Sequence, residues 1–492
     1  MTAATAVGLA VAWPLIAVVW ITVFSKRPNL RETGILLTGG SLFAIVAGVI
    51  LPEVQAGGRP RMDLLEVLPG LELAFEVEPL GMLFGLVASG LWIVTTFYSI
   101  GYMRGHHEEN QTRFYICFAL AISGALGVAF AANVFTLFVF YEFITLTTYP
   151  LVTHAGTEKA RKAGRMYLGI LMGTSIAFLL LALVWTWLAT GTTDFRPGGI
   201  LAGKVEGTQL MILLALYAFG TGKAALMPFH RWLPAAMVAP TPVSALLHAV
   251  AVVKAGVFTV LKVVFYVFGI DLLAFTDASR WLTWVAAFTI IAASCVALGK
   301  DNLKARLAYS TISQLSYIVL GAAFATTAGV MGGGMHIVMH AFGKITLFFC
   351  AGAIMVGAHK TEVSEMDGLG RRMPLTFGAF LLGSLSVIGL PPMGGSWSKW
   401  FLMLGAAEAE QWVMMLVLMA SSLLSIGYLM PVVVRGFFRP APVEDGHGDH
   451  GSSGFHEAPL LCVLPPVATA LGGIVLFFYA GDIWQLLTGM VP

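Results

Sequence analysis

Fourteen stretches of about 20 mostly apolar residues dominate the sequence, and each is long enough to cross a membrane as a helix. Hydrophobic residues make up 58% of the chain and charged residues 11%, which leaves no room for a sizeable soluble domain. The sequence therefore predicts an all-α polytopic membrane protein with about 14 transmembrane helices. The stretches lie near residues 5–24, 34–52, 79–100, 114–131, 133–153, 166–189, 208–226, 242–268, 281–299, 303–324, 329–357, 375–403, 411–434 and 459–480.

The basic residues between these segments predict the orientation. The first segment has no basic residue before it, whereas Lys26, Arg27 and Arg31 follow it, which indicates a retained helix that starts outside the cell. With that start, eighteen Lys and Arg residues fall in cytoplasmic loops and five in outer loops, as the positive-inside rule requires. We expect a multi-pass protein of the cell inner (plasma) membrane with both termini outside.

The stretch from Tyr217 to Gly256 places basic residues inside interrupted apolar segments. Lys223 lies in the seventh segment, which is expected to break at the prolines that follow it, and His248 and Lys254 lie in the eighth. A charge near the bilayer centre costs about 3 kcal/mol on insertion scales, so such groups usually serve an ion path. The alternative is that the lysines extend to the membrane surface, as we expect for Lys262 at the outer end of the eighth segment.

A stripe of titratable residues marks the eleventh segment. His336, His340 and Lys344 are spaced i, i+4, i+8, which puts them on one face of a helix. Three such groups can pass a proton along with intervening waters, and histidine titrates nearest neutral pH. Each histidine alone would otherwise be read as an ordinary interhelical hydrogen-bonding residue.

Two further charges stand alone in apolar segments. Glu142 lies in the middle of the fifth, where an isolated carboxyl group would otherwise be protonated and hydrogen-bonded. Lys399 follows a proline- and glycine-rich break in the twelfth. Both interrupted segments, the seventh and the twelfth, thus carry a lysine, which is a pattern typical of transporters with broken helices.

Four motifs resemble one family. The sequences APTPVSALLHAVAVVKAG (Ala239–Gly256), AYSTISQLSY (Ala308–Tyr317), HIVMHAFGKITLF (His336–Phe348) and GLPPMGGSWSKWF (Gly389–Phe401) are similar to the signatures of antiporter-like proton-translocating subunits. Those subunits are shared by respiratory complex I, Mrp-type cation/proton antiporters and membrane-bound hydrogenases. The motifs occur here in the family's order, and the chain is similar to the D-type subunit of Mrp antiporters, the corresponding hydrogenase subunit or a smaller complex I paralogue.

The resemblance implies an architecture. Helices 1–3 would occupy residues 1–113, a first five-helix repeat 114–268, a second and inverted repeat 279–436, and a loop with helix 14 residues 437–492. Helices 7 and 12 would be broken.

The resemblance also implies roles for the buried charges. Glu142 would pair with Lys223, the base of the inner half-channel, and Lys399 would form the outer exit. The implied proton path consists of Glu142, Lys223, His248, Lys254, His336, His340, Lys344 and Lys399.

Three functions follow as hypotheses. The first is a proton-translocating subunit of a multisubunit monovalent cation (Na⁺)/H⁺ antiporter. The second is a proton-pumping subunit of a complex I-like NADH:quinone oxidoreductase or membrane-bound hydrogenase, driven by electron transfer in partner subunits. The third is a membrane scaffold, against which the buried charges argue. The expected partners are other membrane subunits, protons and Na⁺, and no nucleic acid.

No cofactor or metal site is expected. The four cysteines are scattered singly without a CxxC pair, and no GxxxxGK[ST] phosphate loop is present. We therefore expect neither a redox centre nor ATP-driven pumping in this chain itself, and no catalytic residues. The run from Glu444 to His456 is rich in His and Asp, which is compatible with metal binding but more typical of a solvated loop.

Overall fold

The computed structural model describes residues 1–69, 71–440 and 456–490, and these are mostly helical. Each of the fourteen predicted segments contains a helix. In chain order the main helices are α1 (Ala3–Val23), α2 (Pro28–Gln55), α3 (Pro79–Gly105), α4 (Gln111–Ala129), α5 (Val134–Val152), α6 (Glu158–Thr190), α7 (Gly207–Gly220), α8 (Thr241–Ala249), α9 (Val252–Val263), α10 (Arg280–Leu298), α11 (Leu303–Ala323), α12 (Thr327–Ala358), α13 (Pro374–Ile388), α14 (Gly395–Glu408), α15 (Trp412–Phe438) and α16 (Leu460–Phe478).

Within the described ranges, eleven helical spans are long and apolar enough to cross a membrane. They cover every predicted segment except the seventh, tenth and twelfth. The seventh and twelfth contain only the short helices α7, α13 and α14, because both segments are interrupted. The tenth is α11, in which serine, threonine and glutamine replace much of the apolar surface. The membrane-spanning helical fold is confirmed, and the count of fourteen stays a prediction.

The interruptions expected in the seventh and twelfth segments are present, but the first begins earlier than predicted. Helix α7 ends at Gly220, so Lys223 lies within the break instead of before it. The reason is local: a Gly-Thr-Gly sequence is a poor helix former, and Thr221 donates its hydroxyl to the carbonyl of Tyr217. A second break, between Ala249 and Val252, divides the eighth segment into α8 and α9 and was not predicted.

A β-hairpin departs from the predicted all-helical fold. Strands β1 (Arg61–Leu68) and β2 (Leu71–Glu76) pair antiparallel, and Leu71, Ala74 and Phe75 of β2 are buried. Phe75 bridges to Ala131, and the amide of Asn133 donates to the Glu72 carbonyl at 2.8 Å. We call this end of the molecule the hairpin side. It is the end that the basic residues predict to be outside.

The loops of the opposite side also contact one another. Asn302 forms an isolated bridge with Glu362, Ser364 donates to Asp301 at 2.5 Å, and Arg435 pairs with Asp367 at 2.9 Å. All of these residues belong to loops or helix ends that the sequence assigns to the cytoplasm. These particular loops therefore lie together at one end of the bundle.

Helix α12 runs through the centre of the bundle and packs against α11, α13, α14 and α16. Small residues permit this close packing: a Cβ on Gly405 would lie 2.5 Å from the backbone nitrogen of Gly329. Large apolar side chains such as Leu188, Phe288 and Leu423 are exposed on the outside of the bundle. This is the distribution expected where lipid, not water, surrounds the helices.

Candidate functional site

Lys223 lies in a turn of 3₁₀ helix, Gly222–Ala224, and is completely buried. Its ammonium donates to the carbonyl of Tyr141 at 2.7 Å and to the Thr145 hydroxyl at 2.6 Å. It also lies 3.1 Å from the centre of the Tyr141 ring, where the face of the ring attracts a cation. Neutral groups of α5 therefore provide the direct contacts of this ammonium group.

Glu142 is adjacent to these contacts but does not touch the ammonium group. Both of its carboxylate oxygens are buried, and among the described residues neither has a hydrogen-bond partner. The carboxylate still acts electrostatically on Lys223. The structure thus brings the two residues of the expected pair close together, without the direct ion pair.

The break in the seventh segment fixes the position of Lys223. The carbonyl of Gly222 is freed by the break and accepts a hydrogen bond from the Trp232 indole at 3.0 Å. Helix α9 packs directly behind the turn, since a Cβ on Gly256 would lie 2.4 Å from the carbonyl carbon of Lys223. The turn is therefore held from both sides, and Gly256, two residues beyond Lys254, connects it to the next part of the site.

The centre of the site is a contact between α9 and α12. Lys254 Nζ lies 2.7 Å from Nδ1 of His340, and both residues are almost fully buried. The ring of His340 lies 5.7 Å, centre to centre, from that of His336, one turn away on α12. Nδ1 of His336 forms a 2.9 Å hydrogen bond with the hydroxyl of Ser398. The stripe expected on the eleventh segment is thus a buried polar line that reaches α14.

The ring of Tyr317, which stacks on that of His336 at 5.6 Å between centres, connects this line to Lys399. The Lys399 ammonium donates to the Ile388 carbonyl at 3.0 Å and to the Ser422 hydroxyl at 2.9 Å, and it lies 4.9 Å from the centre of the Tyr317 ring. A cavity of about 450 Å³ borders it. Like Lys223, this lysine binds one carbonyl and one hydroxyl beside a tyrosine ring.

Lys344 forms a branch one turn beyond His340. Its ammonium donates to the Ser310 hydroxyl at 2.5 Å, and Ser310 donates in turn to Tyr428 at 2.9 Å. The hydroxyls of Tyr428 and Ser425 are 2.8 Å apart. The branch therefore runs along α11 to α15 as a chain of hydroxyl groups.

His248, like Glu142, is a candidate whose side chain is buried without a hydrogen-bond partner among the described residues. Neither of its ring nitrogens has a hydrogen-bond partner in the part of the chain that the structure describes. Its ring packs against Phe348 with 4.5 Å between centres. The break between α8 and α9 separates it from Lys254.

The expectation for Lys262 is wrong. Its side chain is completely buried, forms a 3.0 Å ion pair with Glu78 and donates to the Ala131 carbonyl at 2.8 Å. The lysine cannot extend to solvent because the hairpin and the following loops cover this end of α9. Glu78 stands directly before Pro79, the first residue of α3, and an acidic residue at a helix start was the signal that could have pointed to it.

Sequence reasoning also missed the hydroxyl groups that hold the buried lysines. Thr145, Ser310 and Ser422 each accept a hydrogen bond from one of them. Thr145 lies one turn after Tyr141 on α5, so the spacing was visible, but nothing in the sequence showed which lysine it faces.

The described residues contain no group of three or more His, Cys, Asp or Glu side chains that could hold a metal ion. The four cysteines are unpaired. Of the predicted His- and Asp-rich run, residues 444–455 lie outside the described part of the chain.

A family model described as "NADH:quinone oxidoreductase/Mrp antiporter, TM" matches residues 131–425. The chain belongs to this family. The match includes all eight residues of the expected proton path. The protein is therefore an antiporter-like, multi-pass membrane subunit of the kind found in Mrp and complex I-like assemblies.

Two relatives by sequence are named as quinone oxidoreductase subunits, and one solved structure of the same fold is a chain of an Mrp complex. NADH-quinone oxidoreductase subunit N of Desulforudis audaxviator is 31% identical over 90% of this chain and 89% of its own. NAD(P)H-quinone oxidoreductase chain 5 of a Picosynechococcus species is 28% identical over 92% and 71%. Among solved structures, the fold matches a chain of the Mrp complex from Dietzia sp. DQ12-45-1b with a TM-score of 0.84 at 22% identity, over 98% of this chain and 96% of that one.

A second solved structure has the same fold. A chain of a membrane-bound sulfane sulfur reductase, an archaeal respiratory membrane complex, matches with a TM-score of 0.86 at 24% identity, over 98% of this chain and 96% of that one. At these identities the likeness establishes the fold alone. The fold is thus common to an antiporter complex and a respiratory complex.

Proposed function

We propose that this subunit moves protons across the membrane through its buried polar line, as one subunit of a larger complex. The observation that carries the proposal is the contact between Lys254 and His340. It joins α9 to α12, and the line continues through His336 and the Tyr317 ring to Lys399. Each lysine and histidine on this line can hold or release a proton, and water can bridge the steps that are too long for a direct hydrogen bond.

The chemistry of the line favours protons over metal cations. Among the described residues, the direct polar contacts of Lys254, His336, His340, Lys344 and Lys399 are neutral groups and one another. A sodium ion needs several oxygen ligands, as other hard cations do, and positively charged ammonium groups would repel it. If the parent complex exchanges Na⁺, that ion would pass elsewhere in the complex.

The pair Glu142 and Lys223 supplies the entry half of the proposed path. The ammonium group is held by neutral ligands, and the nearby carboxylate favours its charged form. Lys399 would form the exit half, on the opposite end of the line. His248 would join only if water occupies the gap between it and its neighbours.

The likeness between the two halves supports the proposed inverted repeats, 114–268 and 279–436. Lys223 and Lys399 both lie at a broken helix, and both donate to one carbonyl and one hydroxyl beside a tyrosine ring. Inverted repeats with broken helices place such sites at the middle of the membrane. The proposed location is the plasma membrane, with the hairpin side and both termini outside.

The names of the sequence relatives favour a redox-driven parent complex. They are quinone oxidoreductase subunits, so proton movement here would be driven by electron transfer in partner subunits. The Na⁺/H⁺ antiporter of the Mrp type is the second candidate, supported by the likeness of the fold to a chain of an Mrp complex.

The test has two parts. Purification of the native complex through a tag on this subunit identifies the partners, and quinone-binding or redox subunits would favour the first parent. Driven proton uptake is then measured in vesicles that contain Lys254→Met or, as a control, Lys159→Met, an exposed lysine at the start of α6. Loss of transport in the first variant alone supports the proposal, and full transport in an assembled Lys254→Met complex contradicts it.

A further inference from the structure

A buried ion pair lies at the hairpin side, outside the line described above. Lys262 Nζ is 3.0 Å from Glu78 Oε1, and the hydroxyl of Tyr266 donates to Glu78 Oε2 at 3.2 Å. Lys262 is completely buried and Glu78 is 3% exposed. Intramembrane charges that are fully enclosed seldom persist without a role.

The position of Lys262 on α9 connects this pair to the proposed path. Lys254, Phe258 and Lys262 are spaced i, i+4, i+8, so they form one stripe along the helix, about 12 Å long. Phe258 packs against Phe84 of α3 with 5.0 Å between ring centres, and Lys262 Nζ lies 5.3 Å from the centre of the Phe258 ring. One aromatic pair thus lies between the two lysines.

Polar groups lead from the ion pair to the hairpin surface. Arg59 and Glu76 both act electrostatically on Tyr266. Their side chains are 29% and 20% exposed and lie 4.0 Å apart at closest approach. The ion pair therefore lies between the aromatic pair and side chains that reach the hairpin surface.

We propose that the Glu78–Lys262 pair is the hairpin-side gate of the proton path, and that Phe258 and Phe84 form the apolar barrier which separates it from Lys254. This inference rests on the proposed function. In one cycle the Lys262 ammonium gives its proton to water on the hairpin side, by way of Glu78, and becomes a neutral amine. A proton from Lys254 then crosses on water past Phe258 and restores the ammonium, and Lys254 is protonated again through His340, so that one proton has passed along the line.

Electrostatic repulsion between Lys254 and Lys262 would open the gate. A proton that arrives at Lys254 adds a second positive charge to the same stripe of α9, and the repulsion weakens the hold of Lys262 on its own proton. Between transfers Glu78 is held in place beside Lys262, because the backbone nitrogens of Leu80 and Gly81 also donate to it, at 2.6 and 3.0 Å. The carboxylate therefore returns Lys262 to its charged, closed state after each transfer.

A purely structural clamp is the competing explanation. Glu78 caps α3, and Lys262 holds the carbonyl of Ala131 in the loop after α4. A clamp predicts lower stability on mutation and no change in proton leak. The leak is therefore the measurement that separates the two.

The decisive variant is Phe258→Ala in the whole complex, reconstituted into vesicles with an imposed membrane potential and no substrate. We expect passive proton leak above that of wild type, and we expect Lys254→Met in the same chain to remove it. Phe377→Ala is the matched control, since Phe377 is equally buried but packs against Phe437 near the opposite side. If the Phe258→Ala complex leaks protons no faster than wild type, Phe258 is not part of a barrier and the proposal is wrong.

Lys262→Met tests the ion pair itself. Driven transport should fall about 100-fold or more, as expected when a proton-transfer group is removed, while Lys204→Met, an exposed lysine of the hairpin side, should transport normally. Full transport by an assembled Lys262→Met complex would overturn the gate. If this variant does not assemble, the Phe258→Ala leak decides alone.

Lys254→Met distinguishes failure of the gate from failure of the proposed function. In one outcome Lys254→Met abolishes driven transport, Phe258→Ala shows no added proton leak and Lys262→Met transports normally. The proposed proton path is then supported, and the proposed gate is wrong. If Lys254→Met transports normally, the path itself is wrong, and the gate is overturned with it.

Discussion

The side-chain nitrogen of Lys254 lies 2.7 Å from Nδ1 of His340, across the interface of α9 and α12. A hydrogen bond at this distance needs one donor and one acceptor, so the two groups cannot both be fully protonated. Within the described residues no carboxylate touches either group. The pair therefore holds at most one positive charge, and a proton on either group can pass to the other, which is the property a relay requires.

His340→Ala is expected to reduce driven proton transport about 100-fold or more, because it removes the acceptor for Lys254. Assembly should be largely retained, since water can enter the polar cavity that the ring leaves. Transport in reconstituted vesicles and the yield of intact complex are the two measurements. The His336→Ala/His340→Ala double variant is the strictest form of the test: full activity in an assembled complex would make the stripe structural.

Glu142 and Lys223 are expected to act as a unit. In Lys223→Ala the carboxylate loses its nearby cation, and in Glu142→Gln the ammonium keeps the carbonyl of Tyr141 and the hydroxyl of Thr145 but loses the charge that favours protonation. Each single variant should therefore abolish most of the transport by itself.

The double variant separates a coupled pair from two independent residues. Coupled residues give losses that do not add, whereas independent ones give log rates that sum. Simple addition across the cycle, with partial activity in both single variants, would contradict the coupling. Thr145→Val is a useful companion, because it removes one ligand of the ammonium group and leaves both charges in place.

Much of this architecture is visible in the sequence, because it follows from local rules. The spacing of His336, His340 and Lys344 is enough to place them on one face, and glycines and prolines are enough to predict breaks in the seventh and twelfth segments. Helix length and apolar character locate the spans.

The remaining features depend on contacts between distant parts of the chain. The break at Val250 and Ala251 contains no glycine or proline from which it could be predicted. We therefore infer that packing against neighbouring helices determines its position. Nothing in the spacing shows that Lys254 faces His340, or that the end of α9 is covered by loops that bury Lys262. Such neighbours are fixed only when the helices assemble.

The membrane orientation predicts which loops a reagent can reach. Arg161, at the start of α6, should be cytoplasmic, and Glu72, in β2, should be outside. Cysteines introduced at each position are labelled in intact cells with a reagent that does not cross membranes, after the exposed Cys295 has been replaced. Labelling of Glu72→Cys but not of Arg161→Cys is expected. The reverse pattern would invert the topology.

Gly256→Ala should damage the site without touching any titratable group. The new Cβ would lie 2.4 Å from the backbone nitrogen of Ala224 and the carbonyl carbon of Lys223, and backbone atoms cannot move aside as a flexible side chain can. Overpacking of this kind costs about 1–3 kcal/mol and should displace the turn that holds Lys223. Gly378→Ala is the control, because no atom lies within 4 Å of its Cβ position. We expect reduced transport and a lower melting temperature of the complex for the first variant only; equal behaviour of the two would show that the turn does not depend on its contact with α9.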